Sequence, residues 1–141
     1  MPIAHFHLVD GTGTADQRAR LLTEACRSYA RVLDAPVDRV RAFVVRYPPE
    51  EAATAGTLLA DGGAPAPYFT AIVLAGRPIE QRRRLAAEFT RLIVEILGVP
   101  PEVVRGQVVE VSPQNWFIAG HPADQVRATE IAARAESGTA P

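Results

Sequence analysis

Gln17-Arg18 recurs as Gln81-Arg82, and the recurrence continues along the chain. Leu21, Glu24 and Arg27 return as Leu85, Glu88 and Arg91. Leu33, Pro36, Val40, Arg41, Val44 and Val45 return as Leu97, Pro100, Val104, Arg105, Val108 and Val109, always 64 residues on. Composition alone does not hold one register from Gln17 to Val45, so the chain is a tandem duplication of a unit of about 60 residues. Whatever one half folds into, the other must fold into as well. With 141 residues in all, the two halves are expected to share one core. The starts of the halves align one residue further apart, Pro2 with Pro67, which places a single-residue slip in the turn that follows.

Each half reads as strand, helix, strand. Residues 2–9 are β-branched and aromatic, and Asp10-Gly11-Thr12-Gly13-Thr14 is turn chemistry. Leu21, Leu22, Ala25, Tyr29, Val32 and Leu33 then recur at three- and four-residue spacing, predicting a helix over 15–33 that Asp34-Ala35-Pro36 stops. A second strand spans 41–47 and ends at Pro48-Pro49. The second half repeats this with a strand over 68–74, a helix over 80–97 and a strand over 106–111. Residues 50–66 read as a surface connector with a short helical turn, 122–134 as a short helix, and 136–141 as a frayed tail. The units are therefore 1–63, 64–121 and a C-terminal piece, 122–141, within one structural domain.

A βαβ crossover makes its two strands parallel and puts the helix on one face. Two such units predict an α+β, two-layer fold: a four-stranded sheet with two helices on one face. The other sheet face has no cover within the chain, so oligomerisation is expected.

Composition narrows the chemistry. All fifteen basic residues are arginine, which excludes a Schiff-base lysine and a phosphate-loop lysine. A net charge of -1 gives no basic excess to draw the chain onto nucleic acid or an anionic membrane. Cys26 is the single cysteine, so neither an internal disulfide nor a zinc cluster follows, and mid-helix packing explains it. No apolar stretch nears the roughly 20 residues of a membrane span, and the start, MPIAHFHLVDG, lacks a signal peptide's basic and apolar regions. A cytoplasmic protein is the expectation.

Met1-Pro2-Ile3-Ala4, the strand ending in Asp10-Gly11, Leu33-Asp34-Ala35-Pro36 and Val40-Arg41 resemble the 4-oxalocrotonate tautomerase family. The second half resembles it more closely, through Ala75-Gly76-Arg77, Leu97, Val104-Arg105 and Trp116 to Gly120. The duplicated arrangement is similar to fused members of the tautomerase superfamily. That resemblance implies a cofactor-free, metal-free isomerase acting on a small carboxylate. Pro2 matches the family's N-terminal proline, which works as a secondary amine once the initiator Met1 is removed. Arg77 matches a substrate-binding arginine, while the first half has Thr12 there. Pro67, the counterpart of Pro2, is an internal amide with no basic nitrogen, so one working site per chain is expected. Arg41 and Arg105 both match a second arginine that a neighbouring subunit supplies, and Trp116 matches an aromatic pocket wall. Unfused members assemble from six short chains, so the resemblance implies a homotrimer of this one.

Other residues have plainer readings. His5 and His7 alternate on one strand face with no third metal ligand nearby, and His121 follows a glycine near the end. Arg82-Arg83-Arg84 is a solvated helix face. Asp38 coincides with the catalytic aspartate of the superfamily's decarboxylases. There the family reads Asp-Arg-Tyr-Gln, whereas this chain reads Asp38-Arg39-Val40-Arg41, and a turn cap fits better. Two alternatives to a tautomerase stay open: a hydratase, decarboxylase or dehalogenase of a small acid, and a noncatalytic assembly subunit.

Overall fold

A computed structural model describes residues 2–139. The expected removal of Met1 and the last two residues of the expected tail lie outside these.

Strand β1 (Ile3–Val9), helix α1 (Ala15–Leu33) and strand β2 (Arg41–Tyr47) form the first unit. Strand β5 (Tyr68–Leu74), helix α2 (Ile79–Leu97) and strand β6 (Arg105–Val111) form the second. Between them a hairpin pairs β3 (Ala53–Thr54) with β4 (Thr57–Leu58). After β6 an equivalent hairpin pairs β7 (Phe117–Ile118) with β8 (His121–Pro122). The connector therefore holds more than the expected helical turn: it repeats the stretch after β6 at the same 64-residue offset. Helices α3 (Ala123–Val126) and α4 (Ala128–Thr139) end the chain, split at Arg127 where a single helix was expected.

The helices start and stop for local reasons. The Thr14 hydroxyl accepts the Gln17 amide at 3.1 Å, and the Gln17 side chain accepts the Thr14 amide at 2.8 Å. This reciprocal capping box satisfies two N–H groups that the first turn of α1 cannot. Asp34 (φ 50) and Gly98 (φ 71) end α1 and α2 in the left-handed region. The single-residue slip lies in the turn before α1, which carries Gly13 in excess of its counterpart before α2. A Cβ on Gly13 would stand 2.7 Å from Leu97 Cδ2, so the extra residue sits tight against the other half.

The sheet runs β2-β1-β5-β6. β1 and β2 are parallel, as are β5 and β6, and the units join through antiparallel β1 and β5, with Phe6 opposite Phe69. Side chains alternate between faces. Ala4, Phe6, Leu8, Phe69, Ala71 and Val73 point under the helices and are buried. There they meet Leu21, Ala25 and Tyr29 of α1 and Leu85, Phe89 and Ile93 of α2. The Phe89 ring lies 5.2 Å from Phe6, 5.3 Å from Tyr29 and 5.5 Å from Phe69, so one aromatic joins both units. Such pairs add about 0.5–1.5 kcal/mol each beyond area burial. The Tyr29 hydroxyl donates to the Ile72 carbonyl. A Cβ on Gly106 would come within 2.2 Å of the Phe69 ring, so β6 needs glycine there.

The opposite face carries Ile3, His5, His7, Phe43, Tyr47 and Tyr68; among the described residues only the connector borders it, at the end that holds His7, Tyr47 and Tyr68. Phe43 is 47% exposed. His5 stacks on Phe43, His7 on Tyr47, and His7 Nδ1 is 2.6 Å from the Tyr47 hydroxyl. No described helix is long and apolar enough to cross a membrane.

Candidate active site

Because β1 and β5 are antiparallel, the start of β1 and the end of β5 share one end of the sheet. Pro2 is buried there, and its carbonyl accepts the Arg41 amide at 3.0 Å. The turn after β5 brings Arg77 to the same place from the other unit. Pro2 and Arg77 both line a cavity of about 30 Å³. Leu33, Ala35, Val73 and Leu74 supply its apolar walls.

Its polar walls are one-sided. Arg39, Arg77, Arg127 and Arg134 line it against a single carboxylate, Glu130. Arg77 Nη1 donates to the Leu33 carbonyl at 2.8 Å and to Gln81 Oε1 at 3.3 Å. Its Nε and Nη2 make no hydrogen bond among the described residues. Burial first, then the charge of Arg134, bring the Arg77 guanidinium down to about 10, still a cation at neutral pH. Arg39 stands in a short 3-10 turn, Val37–Arg39, and grips Glu130 with its whole fork. Both N–O distances are 2.9 Å. That hydrogen bond holds the Glu130 carboxyl below the usual carboxylate range.

Arg41 and Trp116 line an adjoining hollow of about 310 Å³, with Asp38, Arg39 and Arg127. Arg39 and Arg127 belong to both spaces and form the partition between them. Asp38 does not line the cavity at Pro2. Arg105 begins β6 at the opposite end of the sheet, where Nη1 donates to the Glu102 carbonyl at 2.7 Å. Within one chain it does not approach Pro2. The five residues singled out in the sequence thus divide into Pro2 with Arg77, Arg41 with Trp116 one partition away, and Arg105 apart.

The opposite end of the sheet repeats the frame without the cluster of arginines. The Pro67 carbonyl accepts the Arg105 amide at 3.1 Å, as Pro2 does from Arg41. Thr12 replaces Arg77, Val103 replaces Arg39 and Ala52 replaces Trp116. His121 is exposed on β8, and no described group of three or more His, Cys, Asp or Glu residues is placed to hold a metal ion.

Sequence reasoning missed Arg39, Arg127, Glu130 and Arg134. The available signal was the spacing of Arg127, Glu130 and Arg134, three and then four residues apart, which puts all three on one side of a helical stretch.

The tautomerase family, described as "Tautomerase enzyme", matches residues 67–125. A 2-hydroxymuconate tautomerase of Comamonas testosteroni is 35% identical over 60 residues, 43% of this chain and 95% of that protein. Among solved structures, native fused 4-OT superposes with a TM-score of 0.83 at 25% identity, over 89% of this chain and 98% of that one. A wild-type fused 4-OT described as an asymmetric trimer superposes with a TM-score of 0.79 at 22% identity, over 88% and 98%, a likeness of fold.

Proposed function

The chain belongs to the tautomerase superfamily, as a fused member built from two βαβ units, and from that premise we propose how it works. It is an isomerase that moves a proton between the enol and keto forms of a small α-keto acid. The Pro2 nitrogen is the general base, and no cofactor takes part.

One observation carries this reading: four arginines and one glutamate line the same cavity as the buried Pro2. With Met1 removed, that ring holds a secondary amine. Nearby cations and burial both disfavour its charged form, so the amine is held neutral and basic near physiological pH. The neutral nitrogen takes the enol O–H proton. The C–O bond becomes a carbonyl, and the former double bond accepts the proton back from nitrogen at carbon. Between those steps the substrate carries extra negative charge, which the Arg77 guanidinium is placed to stabilise. Trp116 walls the conjugated part of the substrate from the adjoining hollow.

The uncovered sheet face supports a homotrimer. In that assembly Arg105 serves the site of a neighbouring chain, since it cannot reach Pro2 in its own. The relatives named for 2-hydroxymuconate make that acid one of two first substrates to test, beside phenylenolpyruvate. Loss of the enol's ultraviolet absorbance on adding protein that begins at Pro2 is the expected result. Failure to accelerate ketonisation of any member of a panel of such acids overturns the reading.

A further inference from the structure

The cavity at Pro2 is closed by a segment that the duplicated frame does not require. After the first unit, the counterpart of α3 makes only a 3-10 turn, Leu59–Asp61, before the chain runs on to Pro67. After the second unit, α3 and α4 cross the sheet end and bring Arg127, Glu130 and Arg134 to the cavity. They leave about 30 Å³ there, room for one or two water molecules. A hollow of about 330 Å³ shares Arg39, Arg77, Glu130 and Arg134 with this cavity but not Pro2, and small-molecule sites occupy about 300–1,000 Å³, so a substrate reaches Pro2 only once α4 shifts.

α4 is built to shift. No residue from 128 to 137 is buried; Ile131 and Arg134 are half-buried and the rest are exposed. A helix with so little apolar anchorage opens at low cost. One polar anchor is the Arg39–Glu130 pair, two parallel bonds of 2.9 Å between a guanidinium fork and both carboxylate oxygens. This is the geometry with which arginine holds a substrate carboxylate. Beside it, Arg127 Nε is buried with no hydrogen-bond partner among the described residues.

We propose that Arg39 is a substrate-binding residue whose fork Glu130 occupies until a carboxylate of the substrate displaces it, releasing α4. Displaced Glu130 keeps Arg127 and Arg134 as neighbours along its own helix turn, so it is not left as a lone charge. The partition at Arg39 then opens, joining the Pro2 cavity to the hollow that Trp116 walls. Arg77 and Arg39 offer two carboxylate sites on one cavity, so Arg39 sets the preference for an acid with two carboxylates over an acid with one. The proposal rests on the tautomerase reading only for the identity of the displacing acid.

The test uses Arg39→Gln, Glu130→Gln and the double variant of the full chain. Muconate, a dicarboxylate with no enol to turn over, is titrated against the fluorescence of Trp116, the only tryptophan. KM and kcat are then measured on 2-hydroxymuconate and phenylenolpyruvate. Arg39→Gln is expected to weaken muconate and raise the 2-hydroxymuconate KM by about tenfold to a hundredfold, the range of a charged hydrogen bond. The phenylenolpyruvate KM should not move comparably, since that acid brings a single carboxylate, which Arg77 holds. Glu130→Gln is expected to tighten muconate by about two- to fivefold, the size of a partly exposed ion pair. That gain should vanish in the double variant. A gain that persists without Arg39, or an Arg39→Gln protein that binds muconate as well as the parent, overturns the proposal. If no acid turns over while muconate follows the expected pattern, the tautomerase reading falls and the Arg39 assignment stands.

Discussion

Arg77 of the second unit donates a hydrogen bond to the carbonyl of Leu33, the last residue of the first unit's helix, at 2.8 Å. A side chain on the wall of the Pro2 cavity is therefore also a cap on the negative end of α1. The residue has two tasks, and its replacement has two measurable effects.

Arg77→Ala is expected to cost stability as well as activity. The lost cap bond is worth about 1–2 kcal/mol for a half-buried charged donor, read as a lower denaturation midpoint. Activity on the best substrate should fall by about tenfold to a hundredfold at a temperature where the variant is fully folded. Unchanged turnover in a destabilised protein would leave Arg77 as a cap alone.

A residue kept or added before Pro2 turns its amine into an amide, which is not basic at neutral pH. The Pro2 carbonyl keeps its bond from the Arg41 amide, so β1 should still pair with β2. General base catalysis contributes about 100- to 10,000-fold, and turnover should drop by that order. Intact mass identifies the species, and an extended protein with full activity rules out Pro2 as the base.

Phe43→Asp should take the assembly apart. Phe43 is 47% exposed on the uncovered sheet face and stacks on His5. A carboxylate buried there between chains would lose its hydration, at a cost of several kcal/mol. Light scattering should report three chains for the parent and one for the variant. A parent that remains a single chain at micromolar concentration defeats the trimer itself.

Acid should weaken the same face. Burial, and then the charge of His5, hold the His7 imidazole below its ordinary value of 6.5. The folded chain therefore binds fewer protons at His7 than the unfolded chain does. Its contribution is complete above pH 6.5 and is lost as pH falls through that value toward the lower folded one. The melting temperature should drop across this window, and His7→Gln should flatten that drop. An equal acid response in both proteins would point to another group.

The sheet and its helices were legible because their signal is periodic and was written twice. Helix α1 and strands β2 and β5 fall on the expected residues, and α2 and β6 each begin one residue early. The hairpins were not legible, since two-residue strands are too short to show alternation. Their one cue was Ala55-Gly56 recurring as Ala119-Gly120, all four at positive φ. At the cavity, Pro2 and Arg77 could be read because each belongs to the repeated frame. Arg39 and Glu130 could not: they are 91 residues apart, and only the path of α3 and α4 across the sheet end makes them neighbours.

Ala52 and Trp116 hold equivalent places in the two halves, and the exchange has a consequence for how such a chain can change. In a ring of identical short chains, one codon sets every copy of a wall at once. Joining the units frees each position from its twin. One end of the sheet keeps an indole beside an arginine-lined chamber. The other has a methyl there and an open hollow of about 330 Å³ beside His7 and Tyr47. Each end can now be altered by selection without the other having to follow.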